Sequence, residues 1–166
     1  MEIRKATIDD LGLILDIYRT AQDFMIKSGN PSQWSHFYPC EDLVKEDISL
    51  GISYLVFDDD FDDNPHGVFV LIDGLEPTYQ YIEDGNWLND EPYITLHRIA
   101  SDGKIHGVFK SAIDYCKSIC VNIRIDTHNN NKIMQKQIEK NGFERCGTIY
   151  VKDGSPRIAY QWMIEK

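Results

Sequence analysis

The first thirty residues alternate polar and apolar positions in a way that predicts a strand followed by a helix. Residues 2–6 fit a short strand. Thr7 and Asp10 resemble a capping box, with Asp in the Glu position, that opens a helix reaching about Lys27. Apolar residues spaced three and four apart give this helix one buried face. That face consists of Leu11, Ile14, Leu15, Tyr18 and Ala21.

The next forty residues predict a helix and two strands. A helix is expected from Glu41 to Leu50, with Gly51 as its C-terminal cap. Residues 52–57 and 66–72 have the composition of strands and are joined by a turn rich in aspartate. Asp58, Asp60 and Asp62 imitate the start of a calcium-binding loop, but Asp63 and Phe69 occupy the positions that need Gly and Glu. A solvated hairpin turn is therefore favoured, and no metal site is expected.

Residues 73–92 form a long connection without helical period, and they mix acidic with aromatic side chains. Connections of this length in compact domains are often functional. Residues 93–100 then predict a strand. The remaining elements are a helix over about 107–120, a strand over 122–127, a helix over 131–140 and a hairpin of residues 143–151 and 157–164. The first of these helices has a predicted buried stripe of Val108, Ala112, Ile113, Cys116 and Ile119.

The junction between the strand ending near Ala100 and the helix that follows has the properties of an anion site. The first N–H groups of a helix lack intrahelical partners, and the helix dipole adds positive charge there. Gly103 and Gly107 allow the backbone to approach a phosphate closely. The alternative is an ordinary connection whose glycines serve only the turn.

This region resembles the GNAT family of N-acetyltransferases, whose signature is Gln/Arg-x-x-Gly-x-Gly/Ala between a strand and a helix. Residues 104–109 match it, and the strand at 122–127, the Asn-led helix at 131–140 and Gly142-Phe143 follow in the family's order. The chain departs from the pattern at Lys104, which replaces Gln or Arg, and at Phe109, which replaces Gly or Ala.

The resemblance implies an α+β fold, a GNAT-like three-layer αβα sandwich with a central, mostly antiparallel mixed sheet that splays near Ala100. It also implies acetyl-CoA as cosubstrate. Main-chain groups of the strand would meet the pantetheine arm, the turn would wrap the pyrophosphate, and Asn131 would approach the pantetheine or simply cap its helix. The implied cofactor-binding residues are Ile99, Ala100, Lys104, Ile105, His106, Gly107, Val108, Phe109 and Asn131.

Length and charge narrow the function further. With 166 residues, the chain is most simply one domain over 1–166. Its net charge of -10 argues against nucleic acid or an anionic membrane as partner. Residues 97–145 nevertheless carry nine basic and five acidic residues, whereas the rest carries eight and twenty-two. A polyanion such as CoA would be attracted to the first region and a cationic substrate to the second.

The sequence suggests a cytoplasmic protein that is a monomer or a homodimer. It has no apolar run long enough to span a bilayer, and its N-terminus lacks the apolar region of a signal peptide. The four cysteines lack metal-finger spacing and are expected to be buried thiols without disulfides.

Acetyl transfer to an amine needs a base for the amine and an acid for the leaving thiolate. His97 is the best candidate base, because histidine titrates near neutrality. The family's usual acid is a Tyr four residues before the Gly-Phe pair, but this chain has Ile138 there. Tyr150 or Tyr160 could substitute if the fold brings either one near the reacting centre.

Aromatic residues close to the carboxylates of Glu76, Glu83 and Asp84 suggest a pocket for a cationic amine. The candidate residues for substrate binding are Trp34, Tyr79, Tyr81, Glu83 and Trp87, with His36, Phe37 and Tyr38 beside the first. The alternative is that these aromatic side chains fill a peripheral core.

Together these features predict an acyltransferase that moves an acetyl group from acetyl-CoA to a primary amine by direct attack. The acceptor would be a small molecule or a peptide. The alternative function is a non-catalytic acyl-CoA-binding sensor or interaction module with the same fold, which Phe109 and the missing helix tyrosine favour.

Overall fold

The computed structural model describes residues 1–35, 37–58 and 60–164. The helices are α1 (Leu11–Lys27), α2 (Glu41–Ser49), α3 (Val108–Ile119) and α4 (Lys132–Lys140). The strands are β1 (Glu2–Lys5), β2 (Ser53–Phe57), β3 (Pro65–Asp73), β4 (Ile94–Ser101), β5 (Asn122–Thr127), β6 (Glu144–Tyr150) and β7 (Pro156–Met163). The predicted elements differ from these by one residue or less at each end, except at the start of α1.

The strands form one sheet in the order β1-β2-β3-β4-β5-β7-β6. The pairs β1–β2, β2–β3, β5–β7 and β6–β7 are antiparallel. β4 pairs with β5 in parallel, Ile94 opposite Ile123 and Thr95 opposite Arg124. The predicted α+β class with a mostly antiparallel mixed sheet is confirmed.

The entry to α1 shows why the chain turns from β1 into a helix. A 3₁₀ turn, Ile8–Asp10, precedes α1. One carboxylate oxygen of Asp10 accepts hydrogen bonds from the Thr7 main-chain N–H at 2.8 Å and from the Thr7 hydroxyl at 3.1 Å. Arg4 donates to both oxygens of the same carboxylate, and this hydrogen bond is the largest of the effects that lower the Asp10 pKa to about 2. The predicted capping pair is therefore present, and it also fixes β1.

Backbone packing divides the chain into two compact units. The first comprises Met1–Leu71 and Arg98–Tyr115, and the second comprises Ile72–His97 and Cys116–Lys166. The single domain expected from the length stays a prediction. Within the described residues, no helix combines the length and apolarity needed to cross a membrane.

Each unit has its own apolar cluster. In the first, α1 and α2 pack on the sheet through residues that are almost completely buried, including Ile14, Tyr18, Val44, Leu55 and Val68. In the second, the cluster consists of Tyr79, Tyr93, Ile149 and Ala159, with Ile82, Trp87 and Val151 partly buried beside it.

Two burial predictions are wrong. Ile119 is 55% exposed, because it lies in the last turn of α3, where the helix leaves the stripe that buries Val108 and Cys116. Cys40 is exposed, since it lies outside α2 at the N-cap position. Ile17, which the predicted face of α1 omitted, is buried.

Candidate active site

A glycine-containing turn joins β4 to α3 in the first unit. Gly103 and Gly107 have φ angles of 76° and 89°, which side chains other than glycine rarely adopt. The Ser111 N–H donates to the Gly107 carbonyl at 2.9 Å and thereby makes the first helical hydrogen bond of α3. The N–H groups of Val108, Phe109 and Lys110 consequently have no acceptor within the helix. This geometry can bind an anion.

The side chains of the turn divide into buried anchors and exposed groups. Ile105 and Val108 are buried, whereas Lys104, His106 and Gly107 are exposed. A Cβ atom at Gly67 of β3 would lie 2.3 Å from Cγ1 of Val108. Only glycine at position 67 therefore lets the start of α3 pack this closely on β3.

The side chain of Asp102 connects the turn to a buried histidine. One of its carboxylate oxygens accepts the Lys104 main-chain N–H at 3.0 Å, and the other lies 2.8 Å from Nδ1 of His66. Nε2 of the same imidazole lies 2.9 Å from a carboxylate oxygen of Asp62. His66 is completely buried, and the ring of Phe61 packs edge-on against it. The imidazole thus links the turn to the β2–β3 connection.

The protonation state of His66 decides how many of these hydrogen bonds exist. A neutral imidazole has one N–H, and an imidazolium has two. Burial lowers the pKa of His66, but the hydrogen bonds and charges of Asp102 and Asp62 outweigh it, and the net pKa is raised above 6.5. The bridge is complete only in the protonated form.

The His66 bridge predicts a stability change with pH. Because the folded-state pKa is raised, the extra stability is fully present below about pH 6.5 and is lost as the pH rises through the raised pKa. The melting-temperature difference between the wild type and His66→Gln should therefore shrink as the pH rises above 6.5. His106→Gln, which removes an exposed histidine from the turn, is the control. Parallel pH profiles for the wild type and His66→Gln would contradict the bridge.

In the second unit, His97 of β4 pairs with a carboxylate from the long connection. Nε2 of His97 lies 3.1 Å from Oε2 of Glu76, and Oε1 of Glu76 accepts the Thr78 hydroxyl at 3.0 Å. The hydrogen bond from His97 is the largest influence on Glu76 and lowers its pKa to about 2. With Nε2–H donated to this carboxylate, Nδ1 keeps a lone pair that can accept a proton.

An aromatic cluster centred on Tyr79 lies beside this pair. Tyr79 packs against His97, Trp87 and Tyr93 with ring centroids 6.1, 5.1 and 6.5 Å apart. Its hydroxyl donates to Asp126 at 2.7 Å, and burial is the main reason that its pKa is raised. Because Tyr79 is only 1% exposed, its ring supports the site from the core.

The second unit also forms an exposed cluster of two tyrosines and one acid. The rings of Tyr81 and Tyr150 stack with centroids 6.4 Å apart. The Tyr81 hydroxyl donates to one carboxylate oxygen of Glu83 at 3.4 Å, and the Tyr150 hydroxyl donates to the other. Two predicted substrate-binding residues, Tyr81 and Glu83, thus lie together with Tyr150, a candidate for the acid. We call them the Tyr-Glu-Tyr cluster.

Tyr160 lies on the face of the sheet opposite His97. Asp126 and Ala159 are paired and contact Tyr79, which places them on the face that carries His97. The next residue, Tyr160, points the other way because strand side chains alternate. Its hydroxyl donates to Glu139 of α4 at 3.2 Å, and its pKa is raised to about 12, mainly by burial.

The N-terminus of α4 has the predicted asparagine cap. The side chain of Asn131 accepts the Met134 N–H at 3.1 Å. Ile138, at the position of the family's tyrosine, is completely buried and can donate no proton.

Trp34 belongs to the first unit, whereas Tyr79, Tyr81, Glu83 and Trp87 belong to the second. Its ring packs edge-on against Tyr18 and Tyr38, with centroids 5.7 and 6.1 Å away. It is partly buried against the core of that unit. His36 lies outside the described residues.

Sequence reasoning missed the polar partners of the site. It did not connect Glu76 with His97, or His66 with Asp102. These residues are 21 and 36 positions apart, and no spacing rule of a helix or hairpin joins them. The unusual length of the connection over 73–92 was the available signal for Glu76.

Acetyltransferases of the GNAT family share this fold. One from Streptococcus agalactiae is 29% identical, with alignment over 99% of this chain and 96% of that chain and a TM-score of 0.84. A putative acetyltransferase from Staphylococcus aureus is 24% identical, with alignment over 99% of this chain and 100% of that chain and a TM-score of 0.70. The ribosomal-protein-S18-alanine N-acetyltransferase of Escherichia coli is 15% identical, with alignment over 99% of this chain and 94% of that chain and a TM-score of 0.62. No protein-family model and no curated protein matches the chain.

Proposed function

Since its structural relatives support assignment of this chain to the GNAT family of acetyltransferases, we propose that it transfers an acetyl group from acetyl-CoA to a primary amine. The observation that carries the proposal is the turn between β4 and α3. It offers the first N–H groups of α3, which have no acceptor within the helix, together with two glycines of positive φ and exposed basic side chains. These features suit a pyrophosphate.

The proposed cofactor contacts follow the turn and its flanking strand. Main-chain groups of residues 104–109 bind the pyrophosphate, and Lys104 adds positive charge. Main-chain groups of Ile99 and Ala100 bind the pantetheine arm. Asn131, which caps α4, is a further proposed contact of the pantetheine. The buried Ile105 and Val108 keep the turn rigid while its glycines stay accessible.

In the proposed reaction, His97 acts as the base. Glu76 orients the ring through Nε2, so that Nδ1 takes a proton from the ammonium of the acceptor. The neutral amine then attacks the thioester carbonyl and a C–N bond forms. The attacking nitrogen gives up its second proton to solvent, and the C–S bond breaks to release the thiolate. No covalent enzyme intermediate is needed, so the cysteines need no nucleophilic role.

The thiolate that leaves must receive a proton, and Tyr150 and Tyr160 are the proposed candidates. The accessible Tyr150 hydroxyl suits this role better than the buried hydroxyl of Tyr160. Raised pKa values keep both phenols protonated at neutral pH, in Tyr150 chiefly through the hydrogen bond to Glu83 and in Tyr160 chiefly through burial.

The proposed acceptor is a small cationic amine or an exposed amino group of a peptide. The Tyr-Glu-Tyr cluster offers a carboxylate shared by the hydroxyls of two stacked rings, and its charge attracts a cation that the exposed ring surface beside it can also bind. Trp87 and Trp34 supply further aromatic surface, each within its own unit. The buried ring of Tyr79 packs against Trp87.

A second function, acyl-CoA binding without catalysis, has one specific observation in its favour. The buried Ile138 replaces the tyrosine that usually protonates the thiolate in the family. Such a protein would bind CoA through the same turn and would release no thiol from acetyl-CoA in the presence of an amine.

The cofactor turn predicts that CoA stabilises the protein through Gly107. Gly107→Val adds a β-branched side chain at a φ of 89° and should strongly reduce the rise in melting temperature that CoA causes. Gly154→Val is the matched control, because Gly154 has a φ of 81° in the β6–β7 hairpin and open space around it. It should lower the melting temperature but keep the CoA-induced rise. An undiminished rise in Gly107→Val would exclude this turn from the site.

The proposed base predicts a defect in turnover with little change in cofactor binding. His97→Gln should lower kcat by about 100-fold, while the KM for acetyl-CoA stays near that of the wild type. His128→Gln, a histidine after β5, is the control and should retain wild-type kcat. The measurement is thiol release with a saturating amine. Wild-type kcat in His97→Gln would show that another group deprotonates the acceptor.

The acceptor site predicts a selective effect on KM. Glu83→Gln removes the charge but keeps the shape, and it should raise the KM for a cationic amine about tenfold. Asp153→Asn removes an equal charge from the exposed β6–β7 turn and should have little effect. At physiological salt, screening limits the interaction between exposed charges to a range of about 8 Å, and more salt shortens that range. Added salt should therefore raise the KM of the wild type and should change the KM of Glu83→Gln less. Equal KM changes in both variants would contradict a specific role for the cluster.

A further inference from the structure

One residue inside β4 has a backbone conformation that strands do not favour. Arg98 has a φ of 49°, and it is flanked on both sides by strand residues. For a residue with a long side chain this left-handed conformation is strained, and it persists only where the surroundings enforce it. A single such residue changes the direction in which the main-chain groups of the following residues point, as a β-bulge does.

Side chains of α1 and α2 hold Arg98 from two directions. Its guanidinium donates to both carboxylate oxygens of Asp47, through Nε at 3.0 Å and Nη2 at 2.7 Å. The main-chain carbonyl of Arg98 accepts the hydroxyl of Tyr18 at 3.1 Å. Tyr38 accepts a longer hydrogen bond of 3.4 Å from Nη1. Both the side chain and the main chain of this residue are therefore fixed.

Burial makes the Asp47–Arg98 pair hard to separate. The Asp47 side chain is 4% exposed and that of Arg98 is 11% exposed. Removing one partner leaves the other charge buried and unpaired, which is strongly unfavourable. The forked guanidinium also fits a carboxylate in one plane, so the pair restricts orientation as well as distance. It can therefore resist relaxation of the backbone toward an extended φ.

We propose that Asp47 and Tyr18 are positioning residues that hold the left-handed conformation of Arg98, and thereby aim the main-chain groups of Ile99 and Ala100 at acetyl-CoA. This inference rests on the proposed function, because those two residues are the proposed pantetheine contacts. Arg98 itself contributes through its backbone, and its guanidinium is engaged by Asp47.

Two double variants test the proposal. Asp47→Ala/Arg98→Gly and Asp47→Ala/Arg98→Ala both remove the ion pair completely, so neither leaves a buried charge behind. They differ only in the Cβ atom at position 98. Glycine adopts a φ near 49° without strain, whereas alanine does not. The glycine variant should therefore keep a kcat/KM for acetyl-CoA about tenfold above that of the alanine variant.

Crystal structures of both double variants give a readout that is independent of activity. The φ angle at position 98 should stay positive with glycine and become negative with alanine. A role limited to stability would instead make kcat/KM equal in the two variants, assayed well below their melting temperatures. Equal kcat/KM values, or a positive φ retained by alanine, would overturn the proposal.

Failure of the proposed function gives a different result. In that case the wild type releases no thiol with any amine, and the claim that Ile99 and Ala100 are positioned for acetyl-CoA is also wrong. The φ angles of the two variants still decide whether Asp47 holds the backbone.

Discussion

The ion pair between Arg98 and Asp47 connects the packing of the first unit to the part of β4 on which the proposed chemistry depends. It ties β4 to α2, while the Tyr18 hydroxyl ties the same residue to α1. The apolar cluster of that unit packs α1 and α2 on the sheet, so the position of both anchors is set by core packing. The strained backbone at Arg98 is consequently tied to the packing of the first unit.

In several places this acidic chain uses a carboxylate, hydrogen-bonded to a nearby donor, to fix a local structure. Asp102 holds the turn through His66, Glu76 orients His97, and Asp10 caps the entry to α1. Glu83 differs, because its hydrogen-bond donors are two phenols at an exposed surface. A carboxylate beside aromatic rings at an exposed surface is suited to bind a cation, whereas the other three are suited to hold structure.

Local patterns in the sequence were sufficient to predict the elements and the turn. The capping pair of Thr7 and Asp10, the glycines of the turn and the Asn131 cap all act within a few residues, so spacing reveals them. The pairs that orient the site are 21 to 51 residues apart. Only tertiary packing brings them together, and many acids were available as partners. For the same reason, the sequence could nominate Tyr160 without showing that it lies on the other face of the sheet.

Amine-dependent release of thiol from acetyl-CoA is the most direct test of the account. The purified chain should release CoA from acetyl-CoA in the presence of a cationic amine, with one acetylated amine formed for each thiol. Cationic acceptors should be faster than neutral or acidic ones. Binding of CoA without thiol release from any amine in a broad panel would contradict acetyl transfer and would favour a non-catalytic acyl-CoA-binding protein.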